Sequence, residues 1–532
     1  MPRDGLCEMI KTNGEGTMKK RTVTSLLLAL SMIAGIFGCS SENGGSNSNE
    51  LQEDTVNTTK RNHDVVMSED FEISDEDKAL YESLFNINSE VRISIDISDE
   101  ELSKLQKDYD YYKSFNSKSP IYRMCTLNIE INGVEYTIPE VGIRMKGNTS
   151  RRSFYDADSD TVYNLIHFKL SFTETFDDEE YYGEDAKVWT DEEAKEERKD
   201  RTFASLEGLE LKWNRDLDGT YIRDTYAYKM YRDFGVLAPN NTLGALQVNG
   251  DNWGVYKIHE PVDKIFIKRY FDEEDQGGDL YKCAWAGSEN ASYTRVNGLA
   301  GVEDEDSGKF YVYDLKTNKK TSEHESLTKL VSTMNDTGSD REDIEEVLDI
   351  DNWLRFVAVS YFLGMPDDMR NNYNNHYVYF KGSTGQAVFI AYDCEICLGV
   401  NSWNPTGNYM TETNPYSGWA YGANNSQSNP LIKRTVSEGG LYTSEYKEML
   451  DMVANSKWIN FNTYEVMYGA LAAKYENDTY IDFNIKEFDE RIFEMSIDDT
   501  YHDGEYSNGN MPIETYFTLM RENYYAHRDI VQ

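Results

Sequence analysis

The sequence predicts an α+β fold built as two lobes, a β-rich N-terminal lobe followed by a helix-rich C-terminal lobe. Three observations predict it. Runs of alternating apolar and polar residues, two of them turning at Asn-Gly, crowd the stretch before residue 285. Helical spacing dominates after residue 326. Hydrophobic residues at 39% and aromatic residues at 13% of 532 supply ample core for a folded body of this length.

Taken in order, the chain opens with a targeting pattern. Met18-Lys19-Lys20-Arg21 is a basic start, and 22–37 is an apolar run too short to span a bilayer comfortably. It ends at Gly38-Cys39, which resembles a bacterial lipobox, where Cys39 would be acylated and become the mature N-terminus. The expected leader is 1–39 with its true start at Met18, followed by a flexible Ser/Asn/Gly/Glu-rich tether over 40–72.

The β-rich lobe and hinge region are expected over 73–285. VRISIDIS (91–98) alternates as a strand, and DEELSKLQKDY (99–109) is spaced as a short helix. Residues 124–147 read as a hairpin turning at Asn132-Gly133 with a further strand, and 164–172 as another alternating strand. A helix over 221–236 stops at Gly235, a hairpin over 242–260 turns at Asn249-Gly250, and 263–271 is helical. A short strand at 278–285 precedes a polar insertion, 286–325. The helical lobe, 326–532, carries helices at 326–334, 350–364, 444–453 and 463–475, broken by a Gly/Asn/Trp/Tyr-rich loop at 401–430.

Charge narrows the function classes. Asp and Glu number 95 against 53 Lys and Arg, a net charge of −42. That balance excludes nucleic acid as a partner, because neutralising phosphates needs clustered Lys and Arg. It suits basic substrates or divalent cations. Beyond Cys39, four cysteines (Cys125, Cys283, Cys394 and Cys397) are too few and scattered for a disulfide framework. Cys394 and Cys397 form a C-x-x-C with no second pair or clustered His, so they are expected to pack beside Asp393 rather than bind zinc.

The most informative stretch runs from Asp367 to Asp393. An aspartate leads an Asn-rich loop, DDMRNNYNNHYVYF, and a second aspartate follows the next hairpin in FIAYDCEICLG. Phosphotransferases of the kinase type need such parts in this order: a carboxylate for the acceptor hydroxyl, then an amide oxygen and a second carboxylate for Mg²⁺. Upstream, Lys169 lies inside a strand, Asp224 opens a helix, and Glu260 closes a hairpin before a hinge-like Pro261-Val262. RMKGNTSRRSF (144–154) lacks Walker A spacing, and no G-x-G-x-x-G precedes Lys169. Arg144, Lys146, Asn148 and Ser150 could still make a phosphate-facing turn at Gly147.

These segments together resemble the CotH family, the spore-coat-protein-H-type atypical protein kinases. The resemblance is carried by VGIRMKGNTSRRSF, HFKLSF, YIRDTYAYKMYRDFGVLAP, LQVNGDNWGVYKIHEPVDKIFIKRYF, DLYKC, DDMRNNYNNHYVY and FIAYDCEICLG, and at the tail by 429–450. It implies an atypical protein-kinase-like two-lobed fold that transfers phosphate from ATP, with Mg²⁺ or Mn²⁺, to Ser of basic, Ser-rich coat or surface proteins. Asp367 would be the catalytic aspartate and Asp393 the metal aspartate. Asn375 would be a metal ligand, with Asn372 its rival. Lys169 would hold the phosphates, with Asp224, Glu260, Arg144, Lys146, Asn148 and Ser150 in the same cofactor site. The chain departs from the family pattern at Asp224, where Glu is usual, and at Tyr392, Leu398 and Asn374, where Trp, Phe and His are usual.

The expected protein is thus an exported, monomeric lipoprotein kinase at the cell surface or periplasmic face, touching membrane only through its lipid. Two other readings compete. One is a non-catalytic surface binding or assembly lipoprotein on the same scaffold, using the 401–430 loop. The other is a metal-dependent hydrolase, which no His-based motif supports.

Overall fold

The computed structural model describes residues 65–531, apart from 116, 148–150, 157–158, 215–217, 286–288, 297–310, 401–408, 418–428, 483–484, 487–493 and 499–509. The leader, Cys39, most of the tether, Asn148 and Ser150 lie outside the described residues, as does most of the 401–430 loop. Residues 62–532 make one compact unit.

The described strands, in chain order, are β1 (Val91–Asp96), β2 (Arg123–Ile131), β3 (Val134–Lys146), β4 (Tyr155–Asp156), β5 (Ser159–Asn164), β6 (His167–Ser171) and β7 (Gly208–Trp213). They continue with β8 (Asn241–Val248), β9 (Asp251–His259), β10 (Leu280–Cys283), β11 (Tyr313–Leu315), β12 (His376–Phe380), β13 (Ala387–Ala391) and β14 (Ile485–Lys486). Seven close into a barrel in the order β1-β2-β3-β6-β7-β9-β8. All its neighbours are antiparallel except β1 and β8, whose parallel pairing (Arg92 with Ala245 through Ile95 with Val248) shuts the cylinder. Both Asn-Gly hairpins form as expected. Asn132 and Gly133 have φ of 52° and 81°, and Asn249 and Gly250 have 51° and 86°. Left-handed backbone at both central residues gives the twist that two antiparallel strands need.

Alternation decides what fills the barrel. Ile93, Leu127, Ile143, Phe168, Leu211 and Ile258 point inward and are fully buried together. The helix Asp99–Ser114, capped by Ser98 accepting from Glu101 N, packs on β2 and β3. A second core lies under a four-stranded sheet, β11-β10-β12-β13. There the helix Ile350–Leu363 packs on β13, with the helices Arg223–Asp233 and Thr443–Ala454 against it. A small sheet, β14-β5-β4, packs Tyr155 and Tyr163 against the barrel core.

The two-lobed, protein-kinase-like architecture is corrected by this arrangement. The chain is α+β, but its β-rich part is a closed seven-stranded barrel, and the helix-rich part is built around a sheet of its own. Local alternation predicts strands without predicting which edges meet. Here the pairing that decides the architecture joins β1 to β8 across the intervening hairpins and helices. The stretch 286–325, read as a polar insertion, supplies β11, the outer strand of the second sheet. Among the described residues no helix is long and apolar enough to cross a membrane.

Candidate active site

Barrel strands that send every second side chain inward send the alternate ones outward, and here those are charged. One register row runs Arg144 on β3, Lys169 on β6, Glu210 on β7 and His259 on β9. Lys146 and Lys212, two residues along β3 and β7, point the same way. Lys146 Nζ lies 2.6 Å from Glu210 Oε2 and donates to Tyr392 Oη at 2.7 Å. Tyr392 Oη in turn donates to Glu210 at 3.1 Å. Burial opposes ionisation of Glu210, yet Lys146, Lys169 and Lys282 hold its carboxyl well below the usual range.

Against this row docks the turn that leaves β13. The helix Arg223–Asp233 positions it through two side chains one helical turn apart. Asp224 Oδ1 accepts from Cys394 N at 3.0 Å, and Tyr228 Oη accepts from Asp393 N at 2.8 Å. Asp393 itself has φ of 57°, a left-handed conformation that a β-carbon disfavours. Tyr373, Asn375 and Leu398 share that region of backbone space. Strain of this kind persists only where surrounding contacts over-determine it, and it gathers at functional sites.

Asp393 Oδ1 accepts from Lys212 Nζ, which also lies 3.8 Å from Glu395 and 3.9 Å from Asp224. Burial works against the charge on Asp393, but Lys212, Lys146 and Lys282 keep it an ionised carboxylate far below the usual range. The same pairing holds the Lys212 ammonium well above the ordinary lysine value despite its burial, with Asp393 the chief cause. Asp224, fully buried, is raised by desolvation and only partly relieved by Lys212 and Lys257. His259 Nε2 is 3.3 Å from Asp224 Oδ2, but burial and the neighbouring Lys212 push that imidazole well below its usual pKa, so it is neutral.

The Asn-rich loop delivers the other carboxylate. Asn372 Nδ2 donates to Asp367 Oδ1 at 2.6 Å, Asn374 Nδ2 to the same oxygen at 3.2 Å, and Asn375 Nδ2 to Oδ2 at 3.0 Å. Burial pushes Asp367 up to about 6, the three amides pull against it, and the Asp393 charge adds to the rise. The register His376–Ala391 brings the end of the loop alongside Tyr392 and Asp393. Asp368 points elsewhere: it accepts from Ser360 in the helix Ile350–Leu363 and from Asn371 N at 2.8 Å, which clamps the loop to that helix.

Lysines crowd the space these groups face. Lys282 on β10 lies 4.2 Å from the centre of the Tyr392 ring. Burial, then the Lys146 charge, drives it well below the usual lysine value. Lys146 and Lys316 are lowered by burial too, and Lys118 falls to about 7. Burial first, and neighbouring positive charge after it, depresses these lysines, so an anionic group placed among them would favour their charged forms. Beside it opens a cavity of about 650 Å³, lined among others by Glu207, Asp263, Lys264, Lys316, Lys319 and Lys320. The Lys169 charge acts on both Asp263 and Lys316.

The structure therefore brings Asp367, Asp393, Asn372, Asn375, Lys146 and Asp224 into one region. Lys169 stands in the charged row beside Glu210, while the lysine near Asp224 is Lys212. Arg144 Nη1 donates to Ser119 O at 2.7 Å, and Arg144 stacks over Tyr122. Glu260 is buried against Arg269 and Asn240 N. Lys212, Glu210 and Lys282 are the site residues that motif reading missed. Their signal was present: LELKW alternates, with Glu210 and Lys212 as the polar positions between buried leucines and Trp213, and such charges inside a strand need partners.

Among the described residues no three His, Cys, Asp or Glu side chains form a ready metal nest. Magnesium is commonly held by one or two carboxylates plus substrate phosphates, so the oxygen donors of Asp393 and the neighbouring asparagines fit it. The family described as CotH kinase protein matches residues 164–500, well over half of the chain. No curated protein matches it.

Proposed function

The chain belongs to the CotH family, and from that premise we propose that it is a protein kinase that transfers the γ-phosphate of ATP to Ser of a basic, Ser-rich protein. The observation that carries the reading is the convergence of Asp367 and Asp393 beside Lys146, Lys212 and Lys282. Phosphoryl transfer asks a protein mainly to position its reactants and to stabilise charge.

In this reading Lys146 and Lys282, with Lys169 behind them, hold the phosphates, and the 650 Å³ cavity takes the rest of the nucleotide. Asp367 orients the acceptor hydroxyl and takes its proton as the Ser oxygen bonds to the γ-phosphorus. The bond from that phosphorus to the β–γ bridging oxygen breaks, and ADP leaves. Asp393, with Asn375 or Asn372, would hold Mg²⁺ or Mn²⁺, which supplies neutralisation of the phosphate oxygens. The excess of acidic residues elsewhere attracts a basic acceptor segment. Export behind residues 18–37 and acylation at Cys39 belong to the same proposal, and mass spectrometry of the native N-terminus tests them.

The test is transfer of labelled γ-phosphate to a basic Ser-rich peptide with Mg²⁺ or Mn²⁺. Wild type is expected to label it, and Asp367→Ala and Asp393→Ala to lose at least about a hundredfold. Labelling indifferent to both substitutions defeats the reading.

A further inference from the structure

Away from the candidate active site, a cavity of about 220 Å³ opens on the outer face of the barrel, where β1 meets β8. Around the barrel β1 lies three strands from β6 one way and three from β7 the other, so the cavity faces away from Lys169 and Glu210. One register row crosses it: Ala245 on β8, Arg92 on β1, Glu130 on β2 and Glu135 on β3. The segment that follows the helix Phe461–Tyr475 closes one side. Its Asp478 accepts from both terminal nitrogens of Arg92 at 3.0 Å. Its Asp482 is tied to Asn252 twice, N donating to Asn252 O at 3.1 Å and Oδ2 accepting from Asn252 N at 2.7 Å. Between these anchors Tyr480 stands at the rim, 61% exposed.

Donors on this wall already point at protein acceptors. Arg92 gives Nε to Glu90 and its fork to Asp478. Asn128 Nδ2 donates to Asp96 at 3.0 Å, Gln247 Nε2 to Asn252 Oδ1 at 2.9 Å, and Tyr480 Oη to Asp482 Oδ1 at 3.3 Å. Glu130 and Glu135 stand directly opposite one another, and among the described residues neither makes an ion pair. Like charges so placed destabilise a sheet. A local rule broken with no repair inside the fold is expected at a functional surface. The guest that suits such a wall brings donors without acceptors, and positive charge, which describes a guanidinium or an ammonium. The open Tyr480 ring offers that cation a π face. We propose that this cavity docks a Lys or Arg side chain of an extended basic segment in the acceptor protein, holding that protein while its serine reaches Asp367. That the segment belongs to the acceptor rests on the kinase reading above, whereas the preference of the cavity for a basic side chain does not.

The first readout is the fluorescence anisotropy of a labelled Arg-rich peptide without serine, titrated with the full chain in the absence of nucleotide. Wild type is expected to bind it, and the double variant Glu130→Gln, Glu135→Gln to bind at least about tenfold more weakly, as Tyr480→Ala does to a lesser degree. The double variant Glu192→Gln, Glu193→Gln loses the same charge on the exposed helix Glu192–Lys199, outside the cavity, and is expected to bind as wild type. A purely structural role for Glu130 and Glu135 lowers the thermal midpoint when they are neutralised, whereas relief of like charge leaves it equal or higher. Equal weakening by the remote pair shows that net charge alone attracts the peptide and overturns the proposal. No binding, or binding indifferent to the cavity variants, overturns it too, as does a neutral oligosaccharide bound there in place of the peptide. Where the cavity double variant fails to fold, Tyr480→Ala decides by the same comparison. The second readout is phosphate transfer to a peptide whose serine and basic run are about ten extended residues apart, enough to pass three strand spacings. In the cavity double variant its KM is expected to rise at least about tenfold at unchanged kcat. Peptide bound at the cavity with no transfer by wild type removes the kinase reading alone, whereas transfer with an unchanged KM removes the docking role alone.

Discussion

Asp367 and Asp393 are chemically the same residue, pushed in opposite directions by what surrounds them. Asp367 is desolvated and bonded by neutral amides, so burial, with the Asp393 charge adding to it, lifts it to about 6. Asp393 is the more open of the two, its side chain 31% exposed, and the Lys212 ammonium touches it and holds it ionised. In the proposed reaction a proton acceptor and a charged metal ligand are thereby separated. Phosphoryl transfer is expected to rise roughly tenfold between pH 5 and pH 7 with its midpoint near 6, as a pH profile of kcat/KM would read, because the base works only when ionised. The effect on stability has the reverse sign. Protonated Asp367 stabilises the fold below the ordinary carboxylate pKa, and that contribution is lost as pH rises through about 6. Glu210 and Asp393, both depressed, contribute above the ordinary carboxylate range, and their contribution fades as pH falls below it. At this scale the candidate carboxylates were legible in the sequence, because the Asn-rich loop and the strand-end aspartate are local patterns. Their opposite titration was not, since it depends on which lysine arrives from another strand.

The element that ties the loop to the core is the helix Ile350–Leu363. It ends at Gly364, whose φ of 60° is left-handed and whose N–H bonds back to Ser360 O and Tyr361 O. A β-carbon at Gly364 would meet the Tyr516 hydroxyl at 2.0 Å. Gly364→Ala is therefore expected to destabilise the protein by at least about 2 kcal/mol in urea unfolding, from backbone strain and overpacking together. Because Ser360 in the last turn clamps Asp368 and Leu363 O accepts from Leu398 N, transfer activity should fall with it. The helices expected from the sequence form to within a few residues, as the 350–364 expectation against Ile350–Leu363 illustrates, whereas Asp75–Leu84 and Ile513–His527 were not among them. Apolar spacing and capping act within one turn. The strand β7 was passed over, because GLELKW is buried on both faces and its outward charges are satisfied only by the folded site.

Across the whole molecule the charge imbalance is the dominant long-range force. A net charge of −42 works against compaction, while the lysine-rich site concentrates scarce positive charge in one place. Raising salt from about 0.01 M to about 1 M shortens the screening length from about 30 Å to about 3 Å. The thermal midpoint, followed by circular dichroism, is expected to rise by at least about 4 °C over that range. By itself the sequence determined the two Asn-Gly turns, several of the helices, the alternation of most strands and the order of the Asp367 and Asp393 motifs, because each is governed by residues within a few positions of one another. The tertiary structure decided that the β-rich part closes into a barrel, through the parallel pairing of β1 and β8. It also decided that Lys212 meets Asp393. Both are contacts between residues far apart in the chain, where the order of residues sets no distance and only packing does.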